Sequence, residues 1–303
     1  MSDPIARGAV IIEAAINGTT TKARNPHVPI EPEEVATDAL ACIAAGATIV
    51  HNHVDRQGLG GDAAAARYYE GWQRVFAERP DALLYPTVNG ASGVESMYSH
   101  LEPLSALCPL RIGLCDPGSV NFGVVDDDGI PRGPYVYANS HDAITHQMEL
   151  NRRLRLGPQL AIFEPGFLRT ALAWWRAGAM PPGAMIKLYF GGDAGYLIGR
   201  GRGGASFGLP ATRRGLDAYL ELIDDCSLPW SAAILGGDLT ADEALVRGVL
   251  DAGGHLHLGL EDHASSTRTP TNVELVREAV AIIEATGRRA ATPKDAVEIL
   301  DQP

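Results

Sequence analysis

Eight short apolar segments alternate with helical segments along this 303-residue chain, and this alternation is the feature that most limits its fold. The segments are rich in Val, Ile, Leu and Ala and are bounded by polar or turn-forming residues, which is typical of buried strands. The predicted strands span residues 9–16, 47–53, 82–88, 110–115, 159–163, 185–190, 230–235 and 255–260. Strands separated by helices form parallel sheets, because each helix returns the chain to the same edge.

Eight strand–helix units in 303 residues fit a closed (β/α)8 TIM barrel of the α/β class. An open doubly wound sheet is the alternative. The barrel is favoured because the notable polar residues gather where strands end, which is the catalytic face of a barrel. No repeat, linker or low-complexity tract divides the chain, so we expect residues 1–303 to form a single barrel domain.

Two histidines separated by one residue, His51 and His53, end the second predicted strand. Side chains at positions i and i+2 of a strand share a face, so both imidazoles can bind one metal ion. Glu261 follows the last predicted strand and would add a carboxylate if the two strand ends meet. These ligands suit zinc at a catalytic site, and they also suit manganese, cobalt or nickel. The alternative is a surface ion pair at the start of a loop.

Other polar residues are expected around the same mouth of the barrel. Glu13 lies in the first predicted strand, and Thr87 and Asn89 lie at the end of the third. His257 lies in the last predicted strand, an even number of positions before Glu261. Strand alternation therefore places its side chain on the same face as Glu261. It is an alternative metal ligand, an acid/base group or a structural histidine.

Two loops contain residues suited to an anionic ligand. The run from Asp116 to Phe122 includes Ser119 and Asn121 beside a glycine, which lets backbone N–H groups approach a carboxylate or oxyanion. The same run could be a simple turn. A basic patch in and after the glycine-rich loop 191–208 is either a solvated surface or a clamp for the phosphates of a large cosubstrate. The patch consists of Arg200, Arg202, Arg213 and Arg214.

The formal net charge of −12 argues against a nucleic-acid partner or an anionic membrane surface. No apolar run approaches the roughly 20 residues that cross a bilayer, and the N-terminus lacks the layout of a signal peptide. The four cysteines are scattered in apolar runs, so we expect reduced core thiols. Together these features predict a cytoplasmic enzyme that acts on small molecules.

Several short motifs follow one another over nearly the whole chain. They are Ala15-Ile16-Asn17-Gly18, Asn25-Pro26-His27-Val28-Pro29, Ala45-Gly46-Ala47 leading to His51-Asn52-His53, Gly118-Ser119-Val120-Asn121-Phe122, Gly253-Gly254-His255, Gly259-Leu260-Glu261-Asp262, Asn272-Val273-Glu274-Leu275-Val276 and Ala291-Thr292-Pro293. Each is weak alone, but together and in this order the motifs resemble the β-keto acid cleavage enzymes, the family that includes 3-keto-5-aminohexanoate cleavage enzyme.

This resemblance implies a (β/α)8 barrel with zinc held by His51, His53 and Glu261. It implies a reaction in which a β-keto acid and acetyl-CoA give acetoacetate and a new acyl-CoA, and it leads us to expect a homo-oligomer. Asp262 matches the family's general base, and Thr87 matches a family serine whose hydroxyl it keeps. Zinc would polarise the keto oxygen and acidify the neighbouring carbon, from which the base takes a proton.

Three positions depart from the family pattern. His257 replaces an arginine, Pro158-Gln159-Leu160-Ala161 replaces a Pro-Glu-x-Glu run, and Asp55-Arg56 inverts an Arg-Asp pair. Losing the arginine removes a permanent charge, whereas Glu13 and Glu164 could replace the lost carboxylates. Two alternatives therefore stay open. One is a metal-dependent C–C lyase or hydrolase on the same barrel that needs no CoA, and the other is a non-catalytic metal- or metabolite-binding protein.

Overall fold

A wall of eight parallel strands forms the centre of the computed structural model, which describes residues 8–56, 58–90, 93–122, 124–126, 128–194 and 207–302. The strands are β1 (Ile12–Ala15), β2 (Ile49–Asn52), β3 (Leu83–Pro86), β4 (Ile112–Cys115), β5 (Gly157–Ile162), β6 (Met185–Gly191), β7 (Trp230–Leu235) and β8 (His255–Leu258). Hydrogen bonds join them in the order β3–β2–β1–β8–β7–β6–β5–β4. Strands β3 and β4 lie side by side without a ladder between them, so the barrel is nearly closed.

Helices follow the strands along the chain, as the alternating pattern predicts. The described helices are α1 (Pro32–Ala45), α2 (Gly61–Glu78), α3 (Val94–Met97), α4 (Leu101–Leu107), α5 (His141–Leu154), α6 (Pro165–Arg176), α7 (Arg213–Leu222), α8 (Glu243–Asp251), α9 (Asn272–Glu284) and α10 (Pro293–Ile299). Local sequence explains their ends: Thr271 caps α9 by accepting a hydrogen bond from the Glu274 N–H, and α1 stops at Gly46, which has a left-handed conformation.

The predicted (β/α)8 barrel and its eight strands are confirmed, with three local differences. The first predicted strand is divided, because Ala9–Val10 pairs with Arg289–Ala290 outside the barrel. The loop after β4 contains small antiparallel sheets that the sequence did not suggest, and helices α3 and α4 were also missed. The remaining short strands are Val120–Asn121 with Val136–Tyr137, Val124–Val125 with Pro131–Arg132, and Leu209–Pro210 beside β6.

Arg200 and Arg202 of the predicted basic patch lie outside the described residues.

The two ends of the barrel interior differ in polarity. At the amino ends of the strands, apolar side chains such as Ile49, Leu83 and Met185 pack against Ala296 of α10. Toward the carboxyl ends, buried charged and polar side chains replace them. A second apolar layer fills the space between strands and helices. The amino-terminal end is largely apolar, although it also buries His255 at the start of β8 and Ser231 near the start of β7. It supports a polar mouth at the other end, where barrel active sites form.

The cysteines and helices agree with the composition-based expectations. Cys42, Cys108 and Cys115 are buried, Cys226 is partly buried, and none of the four forms a disulfide, which confirms their prediction as free thiols. Within the described ranges, no helix combines the length and apolarity needed to span a bilayer.

Candidate active site

Three potential metal ligands converge at the mouth of the barrel. His51 lies in β2, His53 follows it on the same face, and Glu261 lies in the loop after β8. The Nε2 atoms of the two histidines lie 3.3 Å and 3.1 Å from the Glu261 carboxylate oxygens Oε2 and Oε1 respectively. One ligand atom from each residue lies within 4.8 Å of the other two. The strand ends therefore meet as the sequence predicted, across β1, which lies between β2 and β8.

Backbone contacts orient the two imidazoles. Asn17 holds the peptide of His53: its Oδ1 accepts from the His53 N–H at 2.8 Å, and its Nδ2 donates to the His53 carbonyl at 3.0 Å. The Nδ1 atom of His51 lies 3.2 Å from the Tyr85 carbonyl oxygen, which leaves Nε2 directed toward Glu261. Such partners commonly fix the ring orientation of metal-binding histidines.

Two glycines allow the Glu261 loop to approach β1. Gly18 has a φ of +54°, and a Cβ there would lie 2.4 Å from Cγ of Glu261. Gly259 has a φ of +145°, and a Cβ there would lie 2.1 Å from the Ala15 carbonyl oxygen. That same oxygen accepts the Glu261 N–H at 3.1 Å. Any larger residue at either position would push the glutamate away from the histidines.

The protonation states suit a cation. Burial lowers the pKa of His51 to about 3, so its imidazole is neutral at pH 7. Burial alone would raise the pKa of Glu261, but the adjacent His53 and His51 lower it well below its usual value. Neutral imidazole and ionised carboxylate are the forms that bind metal ions.

A second group of buried side chains lies beside these ligands, and we call it the acid–base cluster: Asp262, His257, Glu13 and Lys187. The His257 Nε2 atom lies 2.7 Å from Oδ2 of Asp262, and its Nδ1 atom lies 2.9 Å from Oε1 of Glu13. The same Glu13 oxygen accepts from Lys187 at 2.9 Å and from the Tyr85 hydroxyl. Each of the four side chains exposes 5% or less of its surface.

Opposite charges within the cluster stabilise one another. Burial alone would lower the pKa of His257, but the carboxylates of Glu13 and Asp262 raise it to about 9. Burial alone would raise the pKa of Glu13, but Lys187 and His257 hold it well below its usual value. Burial raises the pKa of Asp262 above its usual value, although the adjacent His257 lowers it. His257 is therefore a cation at pH 7, at the position where the resemblance expects an arginine.

Lys187 and Tyr85 were missed by the sequence reasoning. Lys187 lies in the middle of β6, where its neighbours Ile186 and Leu188 are apolar. A lysine inside an otherwise buried strand was the available signal, because such a charge requires a partner. Its partner Glu13 lies 174 residues away in sequence, and no local pattern connects the two.

The remaining predicted residues occupy less central positions. Thr87 directly follows β3, and its backbone N–H donates to the Tyr68 hydroxyl. The Asn89 side chain donates to the Ser96 carbonyl and so helps to hold α3. The Ser119 hydroxyl joins two loop segments through the backbone of Asn139, and Asn121 is exposed in a small sheet. The catalytic role of Thr87 stays a prediction, as do the substrate-binding roles of Glu13, Asn89, Ser119 and Asn121.

The basic patch is only partly described. Arg213 and Arg214 lie in the first turn of α7, and the guanidinium of Arg213 forms an exposed ion pair with Asp217 at 2.7 Å. This contact suits a solvated helix surface, and the phosphate-binding alternative stays a prediction.

Imidazole and carboxylate groups gathered toward the carboxyl ends of parallel barrel strands, with the Lys187 ammonium buried among them, define a class, the (β/α)8-barrel enzymes. Within that class, the chain belongs to the beta-keto acid cleavage enzyme family, whose model matches residues 9–301. It is 26% identical over 295 residues to 3-keto-5-aminohexanoate cleavage enzyme from Fusobacterium nucleatum subsp. nucleatum. The matched region covers 96% of this chain and 97% of that relative. The resemblance inferred from the motifs is thus confirmed.

One further relative and one solved structure extend the comparison. A 3-oxoadipate:acetyl-CoA acetyltransferase from Cupriavidus necator is 26% identical over 299 residues, covering 97% of this chain and 95% of that protein. Among solved structures, a ternary complex of ObcA with a C4-CoA adduct and oxalate has a TM-score of 0.66 and 18% identity. That match covers 92% of this chain and 68% of ObcA, and it supports the barrel fold.

Proposed function

We propose that this chain is a metal-dependent β-keto acid cleavage enzyme that uses acetyl-CoA as its cosubstrate. In the proposed reaction, a β-keto acid and acetyl-CoA give acetoacetate and a new acyl-CoA. Family membership supports the reaction class, and the name of the Cupriavidus relative supports the cosubstrate. The observation that carries the proposal is the convergence of two imidazoles and a carboxylate directly beside Asp262.

The three ligand residues fit a divalent ion such as zinc. The Nε2 atom of His53 and the Oε2 atom of Glu261 are buried, and they lie 3.1 Å from Glu261 Oε1 and 3.3 Å from His51 Nε2 respectively, without the geometry of a hydrogen bond. Buried polar atoms without partners are costly, so a cation between them would stabilise the site. When bound, such an ion would supply Lewis-acid polarisation of the substrate's keto oxygen and thereby acidify the adjacent carbon.

Asp262 is suited to take the proton from that carbon, which lies between the keto group and the carboxylate. We assign His257 as a positioning residue, because it holds the Asp262 carboxylate at 2.7 Å and is itself held by Glu13. The resulting carbanion attacks the acetyl carbonyl and expels the CoA thiolate. The thiolate then attacks the original keto carbon and breaks its bond to the α-carbon. Asp262 returns its proton to that carbon, which releases acetoacetate.

The surroundings can accommodate this reaction. A cleft of about 630 Å³ is lined by the loops that follow β1, β6, β7 and β8. It includes His263, the residue after Asp262, and it offers space for an elongated thioester. Thr87 follows β3 and brings a hydroxyl to the same end of the barrel. We also expect the enzyme to act in the cytoplasm as a homo-oligomer.

The test is an assay of the metal-loaded protein with a panel of β-keto acids, with and without acetyl-CoA. We expect acetoacetate and a new acyl-CoA to form only when both substrates are present. Cleavage without acetyl-CoA would instead identify a CoA-independent lyase or hydrolase. Complete absence of turnover with every acid, by protein that retains its metal, would contradict the proposal and favour a binding protein.

A further inference from the structure

Five aromatic side chains form a contiguous surface across the barrel mouth from the metal ligands, and we call it the aromatic wall: Phe122, Tyr137, Phe163, Tyr189 and Phe207. The rings of Phe163 and Tyr189 stack with centroids 5.0 Å apart, and those of Phe122 and Tyr137 stack at 5.3 Å. The ring of Phe122 also lies 4.9 Å from that of Phe207. The rings come from β6, from the residue that follows β5, from the small sheet after β4 and from the segment before Leu209–Pro210. Separate elements thus supply one continuous set of rings.

The aromatic wall begins directly beside the acid–base cluster. The Tyr189 ring lies 5.4 Å from the His257 ring, which in turn contacts Asp262. Small or aliphatic side chains, Ala161, Ala233 and Leu235, pack with the wall, while Phe122 and Phe163 remain partly exposed. A substrate whose reacting carbon lies at Asp262 would therefore extend the rest of its chain along an apolar surface.

Three charged groups among the described residues lie close to the wall, and each already contacts a protein group. Glu164, next to Phe163, accepts a hydrogen bond from the Gly208 N–H at 3.1 Å. Lys187 lies 5.6 Å from the Tyr189 ring centroid, and its ammonium is paired with Glu13. A second cation over the same ring would be repelled by this ammonium, while an anion would compete with Glu13 for it. Asp116 is buried and accepts a hydrogen bond from the Tyr137 hydroxyl. Within the part of the chain that the structure describes, none of these three groups is positioned as a free counterion for a charged substrate.

We infer that the β-keto acid used by this chain carries an uncharged, apolar side chain on its keto carbon, which packs against the aromatic wall. This inference rests on the proposed function for the position of the reacting carbon. It deepens that function by naming the substrate class. An unpaired charge placed on such a surface loses its hydration without gaining a partner, whereas each buried methylene is favourable.

Isosteric substrate pairs test the inference in the metal-loaded enzyme. In one pair, 5-methyl-3-oxohexanoate has a methyl group where 3-keto-5-aminohexanoate has an ammonium. In the other, 6-methyl-3-oxoheptanoate has an isopropyl group where 3-oxoadipate has a carboxylate. We expect kcat/KM to favour the apolar member of each pair at least about tenfold, and to rise about fourfold per methylene in straight-chain acids. Preference for either charged member would overturn the inference.

Variants of the wall provide a second test. Phe163→Ala should lower kcat/KM for 6-methyl-3-oxoheptanoate about tenfold, mostly through KM, and should change that of 3-oxopentanoate about threefold or less. Phe163→Leu, which keeps apolar volume, should recover part of the loss. Phe76→Ala is the matched control, because Phe76 lies on α2 next to Trp72 and away from the wall. Equal losses for the long and short acids in Phe163→Ala would contradict the inference.

Equilibrium binding separates this inference from the proposed function. The 3-hydroxy analogues of the same isosteric pairs cannot undergo the keto-acid reaction, so their affinities can be measured calorimetrically without turnover. Tighter binding of the apolar analogues supports the inference even if no keto acid is cleaved, a result that would contradict only the proposed function. Tighter binding of the charged analogues overturns the inference even if cleavage is observed.

Discussion

The two sides of the barrel mouth use opposite physical chemistry. On the side of β1, β2 and β8, His51, His53 and Glu261 meet the acid–base cluster, in which buried charges contact one another at 2.7–2.9 Å. Lys187 is the one member of that cluster that reaches it from β6. On the side of β5 and β6, the aromatic wall contacts mainly its own rings and small apolar residues. The comparison teaches that the reacting groups are concentrated on one side, while the other side offers shape and apolar surface.

The same comparison explains where each side is sensitive. A buried charge that loses its partner costs several kcal/mol, so the charged side should respond sharply to single substitutions. An aromatic contact contributes about 1 kcal/mol beyond the free energy of its buried area. Single substitutions in the wall should therefore have smaller effects than substitutions on the charged side. Predictions for the two sides therefore differ in size as well as in kind.

The largest effect is expected at the metal ligands. His53→Ala removes one of three ligands, and we expect kcat/KM for the best β-keto acid to fall about a thousandfold or more, because Lewis-acid assistance is lost. The measurement is steady-state turnover in metal-supplemented buffer. His27→Ala, at an exposed histidine outside the site, is the matched control. Turnover within threefold of wild type would exclude His53 from the chemistry.

The next largest effect is expected at the proposed base. Asp262→Asn should keep the metal and lower kcat about a hundredfold or more, because general-base catalysis is lost. Exchange of the substrate's α-protons in D2O, followed by NMR without acetyl-CoA, measures the proton transfer alone. Exposed Asp251→Asn is the control. Exchange at the wild-type rate in Asp262→Asn would assign proton removal to another group.

A smaller effect, on stability, is expected from Lys187→Met. The substitution leaves Glu13 buried with one fewer counterion, so the free energy of unfolding should fall by about 3 kcal/mol. The Glu13→Gln, Lys187→Met double variant should recover part of this loss, since it removes both charges. Denaturant unfolding measures both values, with Lys294→Met as an exposed control. A single variant as stable as wild type would show that the ion pair has no structural importance.

The smallest effect concerns Asp116, beside the aromatic wall. Burial raises its pKa from 3.8 to about 6, despite the hydrogen bond from Tyr137 and the charge of Lys187. Between about pH 4 and 6 the folded protein therefore binds more protons than the unfolded chain, and the free energy of unfolding falls as pH rises. The loss contributed by this group is at most about 3 kcal/mol by pH 7.

Asp116→Asn removes this titration. The variant's stability relative to wild type should therefore rise between pH 4 and pH 7, as measured by denaturant unfolding at several pH values. Exposed Asp224→Asn should show no such change. A relative stability that stays constant across this range would mean that Asp116 titrates normally in the folded protein.

The fold and the convergence of His51, His53 and Glu261 could be predicted because their signals are local. Alternation between strand and helix fixes the barrel, and the spacing of His51 and His53 places both rings on one face. Gly259 and Glu261 follow the last strand in a recognisable motif. The same reasoning placed Asp262 beside them through the family resemblance.

The rest of the site could not be predicted because it depends on distances across the barrel. Glu13 meets Lys187 only after β1 and β6 face each other in the closed wall, which no local pattern encodes. Ser119 looked suited to a ligand, but its hydroxyl joins two loop segments within a small sheet that the sequence did not indicate. The aromatic wall likewise combines rings from separate elements.

X-ray absorption spectroscopy of the zinc-reconstituted protein tests the central claim most directly. The account predicts one zinc ion per chain with two imidazole nitrogens and a carboxylate oxygen at about 2.0–2.2 Å. In His53→Ala, the imidazole contribution should fall from two to one. Wild-type protein that fails to bind zinc stoichiometrically, or an unchanged number of imidazoles in the variant, would contradict it.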